Sequence, residues 1–147
     1  MPFLLPDVPV TSLDAYLAGE VGGLAIDRAR RIGPEATIDE ITRSGLRGRG
    51  GGGFPTGRKW AGIAGRRGGR SYLVCNGAEG EPGTFKDRAL LRANPYQFVE
   101  GALVGAFAIG AAEIYVGLKA SFERERAAVT RAVQEMQEAG ICGDCTV

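Results

Sequence analysis

The sequence has 147 residues, of which 44% are apolar, and a formal net charge of +1. This apolar fraction excludes a chain that stays disordered, and the length suits one domain or part of a larger one. The chain has no histidine, which excludes histidine catalysis and histidine metal ligation. Its three cysteines are an odd number, so a complete disulfide framework is not expected. We expect a soluble protein of a reducing compartment, in the cytoplasm.

The charges are distributed unevenly along the chain. Residues 41–78 contain no acid, and acids follow directly at Glu79, Glu81 and Asp87. The same stretch contains eight cations: Arg43, Arg47, Arg49, Arg58, Lys59, Arg66, Arg67 and Arg70. A cationic segment beside an acidic one favours a defined binding site over a general surface for polyanions.

Neither a leader peptide nor a membrane span is predicted. Residues 1–10 have no cationic start and no long apolar run. The most apolar stretch, residues 101–112, is about half the length that a bilayer requires. Its glycine and alanine content predicts a buried helix that packs closely.

Short helices are predicted at the amino-terminal end. Thr11 and Asp14 resemble a capping box and predict a helix through about Ala18. A second helix is expected at 24–31, and Gly33-Pro34 is a stop signal.

Thr37 and Glu40 form a second cap pattern, which predicts a short helix with Ile38 and Ile41 facing inward. This helix ends at Ser44-Gly45, another is expected over 59–64, and an arginine-rich turn over 65–69. We therefore divide the chain into an amino-terminal helical segment, 1–36, and an α/β domain, 37–147.

The second half predicts an α/β fold with a parallel sheet. A buried strand is expected at 71–75, and a second strand at 113–117. Helices are expected at 96–111, capped by Asn94, and at 122–139, closed by Gly140. This strand–helix–strand–helix order predicts a right-handed βαβα unit, in which ligands bind beyond the carboxyl ends of the strands. Residues 141–147 resemble the approach to a third strand, so the sheet is expected to be incomplete.

The glycine-rich segment, residues 45–60, carries the clearest functional signal. Glycine lets the backbone approach a ligand, and successive N–H groups can form an anion-binding nest. Its Gly48-x-Gly50-x-x-Gly53 pattern matches a dinucleotide fingerprint, but a helix precedes it where that fingerprint requires a strand. The spacing also excludes a Walker A loop. A flexible RNA-binding Arg-Gly segment is the alternative, although such segments are usually repetitive.

The acidic loop, residues 76–87, follows the first predicted strand. A solvated surface turn is the simplest interpretation, but a position at a strand end favours a binding loop. Its carboxylates could accept hydrogen bonds from ribose or ribityl hydroxyls. Asn76 offers both a donor and an acceptor to a heteroaromatic edge.

Together these motifs resemble a known family. Residues 44–60 (Ser-Gly-Leu-Arg-Gly-Arg-Gly-Gly-x-Gly-Phe-Pro-Thr-Gly-x-Lys-Trp), Cys75-Asn76 and residues 79–88 (Glu-x-Glu-Pro-Gly-Thr-Phe-Lys-Asp-Arg) are similar to the flavin-bearing subunit of respiratory complex I. The family includes diaphorase subunits of NAD-linked hydrogenases and formate dehydrogenases. The resemblance covers the family's amino-terminal part and spans about residues 13–140. It implies that residues 37–147 are a partial FMN- and NADH-binding domain.

The resemblance also implies roles for individual residues. Phe54 matches a ring that packs on the NADH adenine, and Arg49 and Lys59 match phosphate-binding positions. Glu79 and Glu81 match acids that line the flavin and nicotinamide site, and they are the expected catalytic residues. Positions expected to contact FMN are Gly48, Arg49, Gly50, Gly51, Gly53, Lys59 and Asn76.

The implied activity is hydride transfer from NADH to FMN, followed by electron transfer to iron–sulfur subunits. The family's 4Fe–4S cysteine motif does not occur in this sequence, so no metal ligand is assigned. The implied location is cytoplasmic, at the inner face of the membrane through partner subunits.

Three positions depart from the family pattern. Gly52 replaces an alanine, Ala78 replaces an aspartate, and Gly62 stands where some members have a second aromatic. The last two motivate a second hypothesis, a related flavoprotein with another electron donor. A third hypothesis is a nucleotide- or RNA-binding module without enzymatic activity.

Other features have structural interpretations. Cys142-x-x-Cys145 most simply contains two ordinary cysteines, with a zinc or redox role as the alternative. Cys75 is expected in the core. Residues 123–126 are expected on a solvated helix face.

Overall fold

The computed structural model describes residues 4–66 and 69–147. Two residues of the predicted arginine-rich turn, Arg67 and Gly68, lie outside the described residues. Residues 1–3, part of the segment without a predicted leader, also lie outside the described residues. No helix in the described ranges is both long enough and apolar enough to cross a bilayer.

Three helices form the amino-terminal part: α1 (Leu13–Leu17), α2 (Leu24–Ile32) and α3 (Pro34–Arg43). The prediction that Thr11 caps α1 is wrong. The cap is Ser12, whose hydroxyl oxygen accepts a hydrogen bond from the Ala15 N–H at 3.2 Å. Serine and threonine are both favoured as caps, so the sequence pattern alone does not choose between neighbours.

The prediction that Thr37 opens α3 is also wrong, because α3 begins at Pro34. Gly33 adopts φ 89°, which lets α2 end and α3 begin within one residue, and proline suits a first helical position. Thr37 lies inside the helix, and its hydroxyl donates to the Gly33 carbonyl at 2.7 Å. α3 therefore spans the predicted division after residue 36, which stays a prediction.

The remaining elements are α4 (Thr56–Ala64), β1 (Ser71–Asn76), α5 (Lys86–Ala93), α6 (Pro95–Ile109), β2 (Ala111–Gly117) and α7 (Glu123–Glu138). Asn94 caps α6 as predicted, with its side-chain oxygen accepting from the Gln97 N–H at 3.1 Å. α5 was not predicted. It is a short helix held by tertiary contacts, since Leu91 is buried against the core.

β1 and β2 form a parallel sheet, which confirms the predicted α/β class. Leu73 lies opposite Ile114, and Asn76 lies opposite Gly117 at the carboxyl ends. Thr146 begins a third row beside β2: its N–H donates to the Ala112 carbonyl at 3.0 Å, and its carbonyl accepts from the Ile114 N–H at 2.8 Å. The predicted approach to another strand is therefore present.

The hydrophobic core surrounds α6. It includes Tyr96, Val99 and Leu103 of α6, with Tyr16 from α1 and Met136 from α7. α6 also packs closely against α4. The Trp60 ring of α4 lies so near Gly105 of α6 that a Cβ added at Gly105 would be only 3.2 Å from it. Trp60 therefore belongs to the packing of α4 on α6.

Two burial predictions are wrong. β1 is not fully buried: Tyr72 is 48% exposed and Val74 69% exposed, because α6 packs against one face of the sheet. Residues 123–126 are not a uniformly solvated face, since Glu125 is 1% exposed. Glu125 accepts a hydrogen bond from the Arg88 guanidinium at 3.0 Å and forms an ion pair with the Arg92 guanidinium at 2.6 Å.

Candidate functional site

The glycine-rich segment closes on itself before α4 begins. Arg47 and Pro55 pair as antiparallel bridge partners, and the Gly48 N–H donates to the Phe54 carbonyl at 3.0 Å. The Arg47 guanidinium donates to the Gly53 carbonyl at 3.1 Å. These bonds fix the base of the loop and leave its tip, residues 48–53, mostly exposed.

Two glycines of the tip, Gly50 and Gly52, are not required by the fold, whereas two others are. Gly51 and Gly53 have φ of 103° and 55°, a conformation that favours glycine. Gly50 and Gly52 have no positive φ, and a Cβ added at either would meet nothing within 4 Å. Their small size leaves the backbone open to an external group, which fits a cradle for a phosphorylated cofactor such as FMN.

The charges around the tip suit an anion. Arg49, Arg58 and Lys59 are exposed, and within the described ranges none of them forms a salt bridge. The adjacent start of α4 has no side-chain cap and no acid in its first turn. A helix amino terminus and exposed cations both stabilise a phosphate.

Phe54 provides an aromatic surface beside these cations. It is 55% exposed, and the Arg58 guanidinium lies over its ring, 5.7 Å from the centroid. An exposed ring next to a cation can stack on a planar base. The sequence did not single out Arg58 for this contact, although its position four residues after Phe54, in the first turn of α4, was a usable signal.

The acidic loop lies at the carboxyl ends of β1 and β2, as predicted. The Asn76 side-chain oxygen accepts from the Ala78 N–H at 3.1 Å, and the Gly77 N–H donates to the Gly117 carbonyl at 2.9 Å. A Cβ at Gly77 would lie 2.7 Å from a methyl of the Leu118 side chain and 3.5 Å from the Gly117 carbonyl oxygen, so the loop backbone passes close to the end of β2.

The two predicted catalytic acids have different surroundings. The Glu79 side chain is 2% exposed, and its oxygens accept from the Asp87 and Arg88 N–H groups at 3.2 and 3.4 Å. Glu81 is exposed, and its backbone carbonyl accepts from Thr84. This contact of Glu79 could not be predicted, because α5 was not predicted.

Lys119 is a further cation at this edge of the sheet. It follows β2, and its ammonium group would lie 3.7 Å from a Cβ added at Gly80. Lys119 was not predicted as a site residue, although its position just after the second strand was a usable signal.

The glycine-rich tip and the acidic loop are two distinct segments of the chain. Among the described residues, no hydrogen bond or salt bridge joins residues 48–53 to residues 76–87. Cavities of about 550, 520 and 860 Å³ are lined by other parts of the chain. The described structure thus gives each predicted motif its own surroundings, with no hydrogen bond or salt bridge between the two motifs.

The cysteine pair has the properties of packed thiols. Cys142 is buried and Cys145 is half-buried, and both are free. Burial raises the pKa of both thiols, whereas reactive cysteines usually have a lowered pKa. Burial likewise raises the pKa of Cys75.

Comparison with known proteins identifies the family. A family model described as the Nuo51 FMN-binding domain matches residues 41–147. The chain belongs to this family. The FMN-binding domain thus includes the glycine-rich segment, the acidic loop and all elements from α4 to α7.

Curated relatives agree with this membership. The chain is 40% identical over 134 residues to an NADH-quinone oxidoreductase subunit of Aquifex aeolicus, covering 91% of this chain and 31% of that protein. It is 46% identical over 112 residues to the corresponding subunit of Rhodobacter capsulatus, covering 76% of this chain and 26% of that protein. The chain therefore spans a third or less of these relatives.

Solved structures share the fold of this FMN-binding domain. An NAD+-reducing [NiFe]-hydrogenase in the H2-reduced state matches with a TM-score of 0.76 and 32% identity, over 90% of this chain and 23% of that chain. The air-oxidised state matches with a TM-score of 0.68 and 33% identity, over 88% and 24% of the two chains.

Proposed function

We propose that this chain is the phosphate-holding part of an FMN-dependent, NADH-oxidising subunit. The observation that carries the proposal is the tip at residues 48–53, where Gly50 and Gly52 have no role in internal packing and lie beside exposed cations. Family membership and the names of the relatives support the cofactor and the electron donor.

In this proposal Arg49 and Lys59 bind the FMN phosphate. Charge-assisted hydrogen bonds from such cations are stronger than neutral ones, and the glycine N–H groups add further donors. When bound, FMN would supply the redox chemistry, since a flavin can accept a hydride and release electrons one at a time. The chain orients the reactants and balances their charge.

The other predicted residues bind and orient. Phe54 stacks on the adenine, and Arg58 lies over the Phe54 ring. Asn76, exposed at the end of β1, would bind the flavin edge, and Glu81 offers an exposed carboxylate for ribose hydroxyls. The catalytic roles assigned to Glu79 and Glu81 remain predictions.

We further propose that the electrons leave through iron–sulfur clusters, including a 4Fe–4S cluster, in other parts of a multisubunit complex. The relatives are named as subunits of NADH-quinone oxidoreductase. Attachment to such a complex would place the protein at the cytoplasmic face of a membrane through its partners.

The test is a flavin absorbance spectrum and NADH–ferricyanide activity of the natively encoded protein, with variants Arg49→Met and Lys59→Met. Each variant is expected to weaken FMN binding about tenfold or more, since a hydrogen bond to a charged group contributes about 1.5–3 kcal/mol. The control is Arg124→Met, which removes an exposed cation on α7. This variant protein is expected to bind FMN with wild-type affinity.

Other outcomes identify the alternatives. Flavin without NADH oxidation would favour a flavoprotein with a different donor. Absence of flavin after reconstitution, together with RNA affinity that collapses with salt, would favour a nucleic-acid module.

A further inference from the structure

The two acids of the acidic loop, Glu79 and Glu81, differ in what their carboxylates can reach. The Glu79 side chain is buried and bonded to backbone, whereas Glu81 is exposed. Building on the proposed function, we propose that Glu79 is a positioning residue. It caps α5 and thereby holds the acidic loop in the shape that presents Asn76 and Glu81 to the ligand.

The geometry at the start of α5 supports this role. The first N–H groups of a helix have no partner within the helix and need an external acceptor. Phe85, at the cap position of α5, provides no side-chain hydrogen bond. The two Glu79 oxygens each accept one N–H instead, from Asp87 and Arg88, at 3.2 and 3.4 Å.

α5 is itself a firm support for the loop. Leu91 is 2% exposed, and both Arg88 and Arg92 bind the buried carboxylate of Glu125 on α7. Through Glu79 the acidic loop is therefore tied to α5 and, beyond it, to α7.

The loop is also fixed on the sheet side. The Gly77 N–H donates to the Gly117 carbonyl at 2.9 Å, which joins the loop to the end of β2. Glu81 lies between this bond and α5 along the chain, and its carbonyl accepts from the Thr84 hydroxyl at 2.7 Å. Without the Glu79 cap, the segment that carries Glu81 would lose its attachment to α5 and keep only its attachment to the sheet.

The charge balance separates the two acids. The Lys86 ammonium lies 3.9 Å from a Glu79 oxygen, which partly balances the buried carboxylate. In the part of the chain that the structure describes, the Glu81 carboxylate has no hydrogen-bond or salt-bridge partner. The Glu79 carboxylate thus has its partners within the fold, whereas the Glu81 carboxylate is available to a ligand.

The test uses the variant Glu79→Gln in the protein expressed from its full natural reading frame. We expect faster hydrogen exchange at the Asp87 and Arg88 amides without NADH, by about tenfold for each 1.4 kcal/mol of lost protection. We also expect the KM for NADH to rise several-fold while kcat changes little.

Two further variants make the test specific. Glu81→Gln removes the neighbouring acid and is expected to leave exchange at Asp87 and Arg88 unchanged. Thr84→Val loosens the loop without changing any acid, and it is expected to raise the KM for NADH in the same direction.

The outcomes decide between three roles for Glu79. A higher KM without faster exchange would mean direct ligand contact, and faster exchange with an unchanged KM would mean a purely structural cap. Either result overturns the proposal.

If wild-type protein does not oxidise NADH, the proposed function fails. The role of Glu79 is then judged by FMN affinity, which must fall together with faster exchange for the inference to stand.

Discussion

At the scale of single residues, glycines serve two purposes in this chain. Gly57 is required by internal packing, because a Cβ there would lie 2.1 Å from the Thr42 hydroxyl oxygen and 2.8 Å from the Thr42 Cα. Gly62, further along the same helix, faces open space. The printed sequence does not distinguish these two glycines, but the packing of α3 against α4 does.

Gly57→Ala is expected to lower the free energy of unfolding by about 1–3 kcal/mol or more, through overpacking against Thr42. Gly62→Ala is the matched control, and it should raise stability by about 0.5–1 kcal/mol through helix propensity. Urea unfolding of both variants measures the difference. Equal effects of the two substitutions would contradict the packing of α4 on α3.

At the scale of elements, three helices are capped by carboxylates that lie outside the helix itself. Glu79 caps α5, and Glu135 accepts from the Leu13 N–H of α1 at 2.7 Å. Glu100 of α6 accepts from the Gly23, Ala25 and Ile26 N–H groups at 3.1, 2.8 and 2.9 Å, at the start of α2. These contacts attach the short helices to the core. The helices depend on such contacts because they are too short to be stable alone.

Glu100→Gln is expected to destabilise the protein by about 1–3 kcal/mol for each buried N–H that the amide leaves unpaired. Tyr16 also donates to Glu100, and burial together with that bond raises the pKa of Tyr16. The control is Tyr115→Phe, which removes an exposed hydroxyl bonded to Glu113 and should change stability by less than about 0.5 kcal/mol. Denaturant unfolding of both variants measures the two effects.

The contact between α5 and α7 predicts a pH dependence. Burial by itself raises the pKa of Glu125, but its own backbone N–H and the Arg88 and Arg92 guanidinium groups outweigh this and lower it below its ordinary value. Stabilisation by the ionised carboxylate is therefore complete above the ordinary glutamate pKa and is lost as the pH falls through the lowered value.

Glu125→Gln is accordingly expected to be less stable than wild type at neutral pH, with the difference shrinking in acid. Unfolding measured from neutral pH to below the glutamate range tests this expectation. The exposed control Glu123→Gln should change stability by less than about 1 kcal/mol at neutral pH. A difference for Glu125→Gln that does not vary with pH would contradict the ion-pair assignment.

At the scale of the whole molecule, the sheet has one covered face and one open face. Ile114 is 4% exposed beside α6, whereas Val74 on the opposite face is 69% exposed. Both residues are β-branched and lie in strands, so their sequence context alone predicts similar burial.

Ile114→Ala is expected to reduce stability by about 2–5 kcal/mol, the usual cost of a cavity in the core. Val74→Ala should change stability by less than about 0.5 kcal/mol, as expected for an exposed side chain. Thermal and denaturant unfolding of the two variants provide the comparison. A large loss for Val74→Ala would show that the open face is covered in the folded protein.

The predictability of the elements follows from where their stability originates. α2, α6, β2 and α7 were predicted because their apolar spacing and caps are local signals, as the Asn94 cap illustrates. α5 was missed because its start is capped by Glu79 and its arginines bind Glu125, which lies far away in sequence. In the candidate site, the exposed tip at 48–53 was predictable, but the burial of Glu79 was not.

The amino-acid sequence by itself determined the α/β class, the parallel strand order and the position along the chain of the glycine-rich segment and the acidic loop, because periodicity, caps and glycine spacing are local. Only the tertiary structure decided which acid is free to meet a ligand. Glu79 and Glu81 are two residues apart and chemically identical. The difference arises because the start of α5 lies within hydrogen-bonding distance of one carboxylate and leaves the other in solvent.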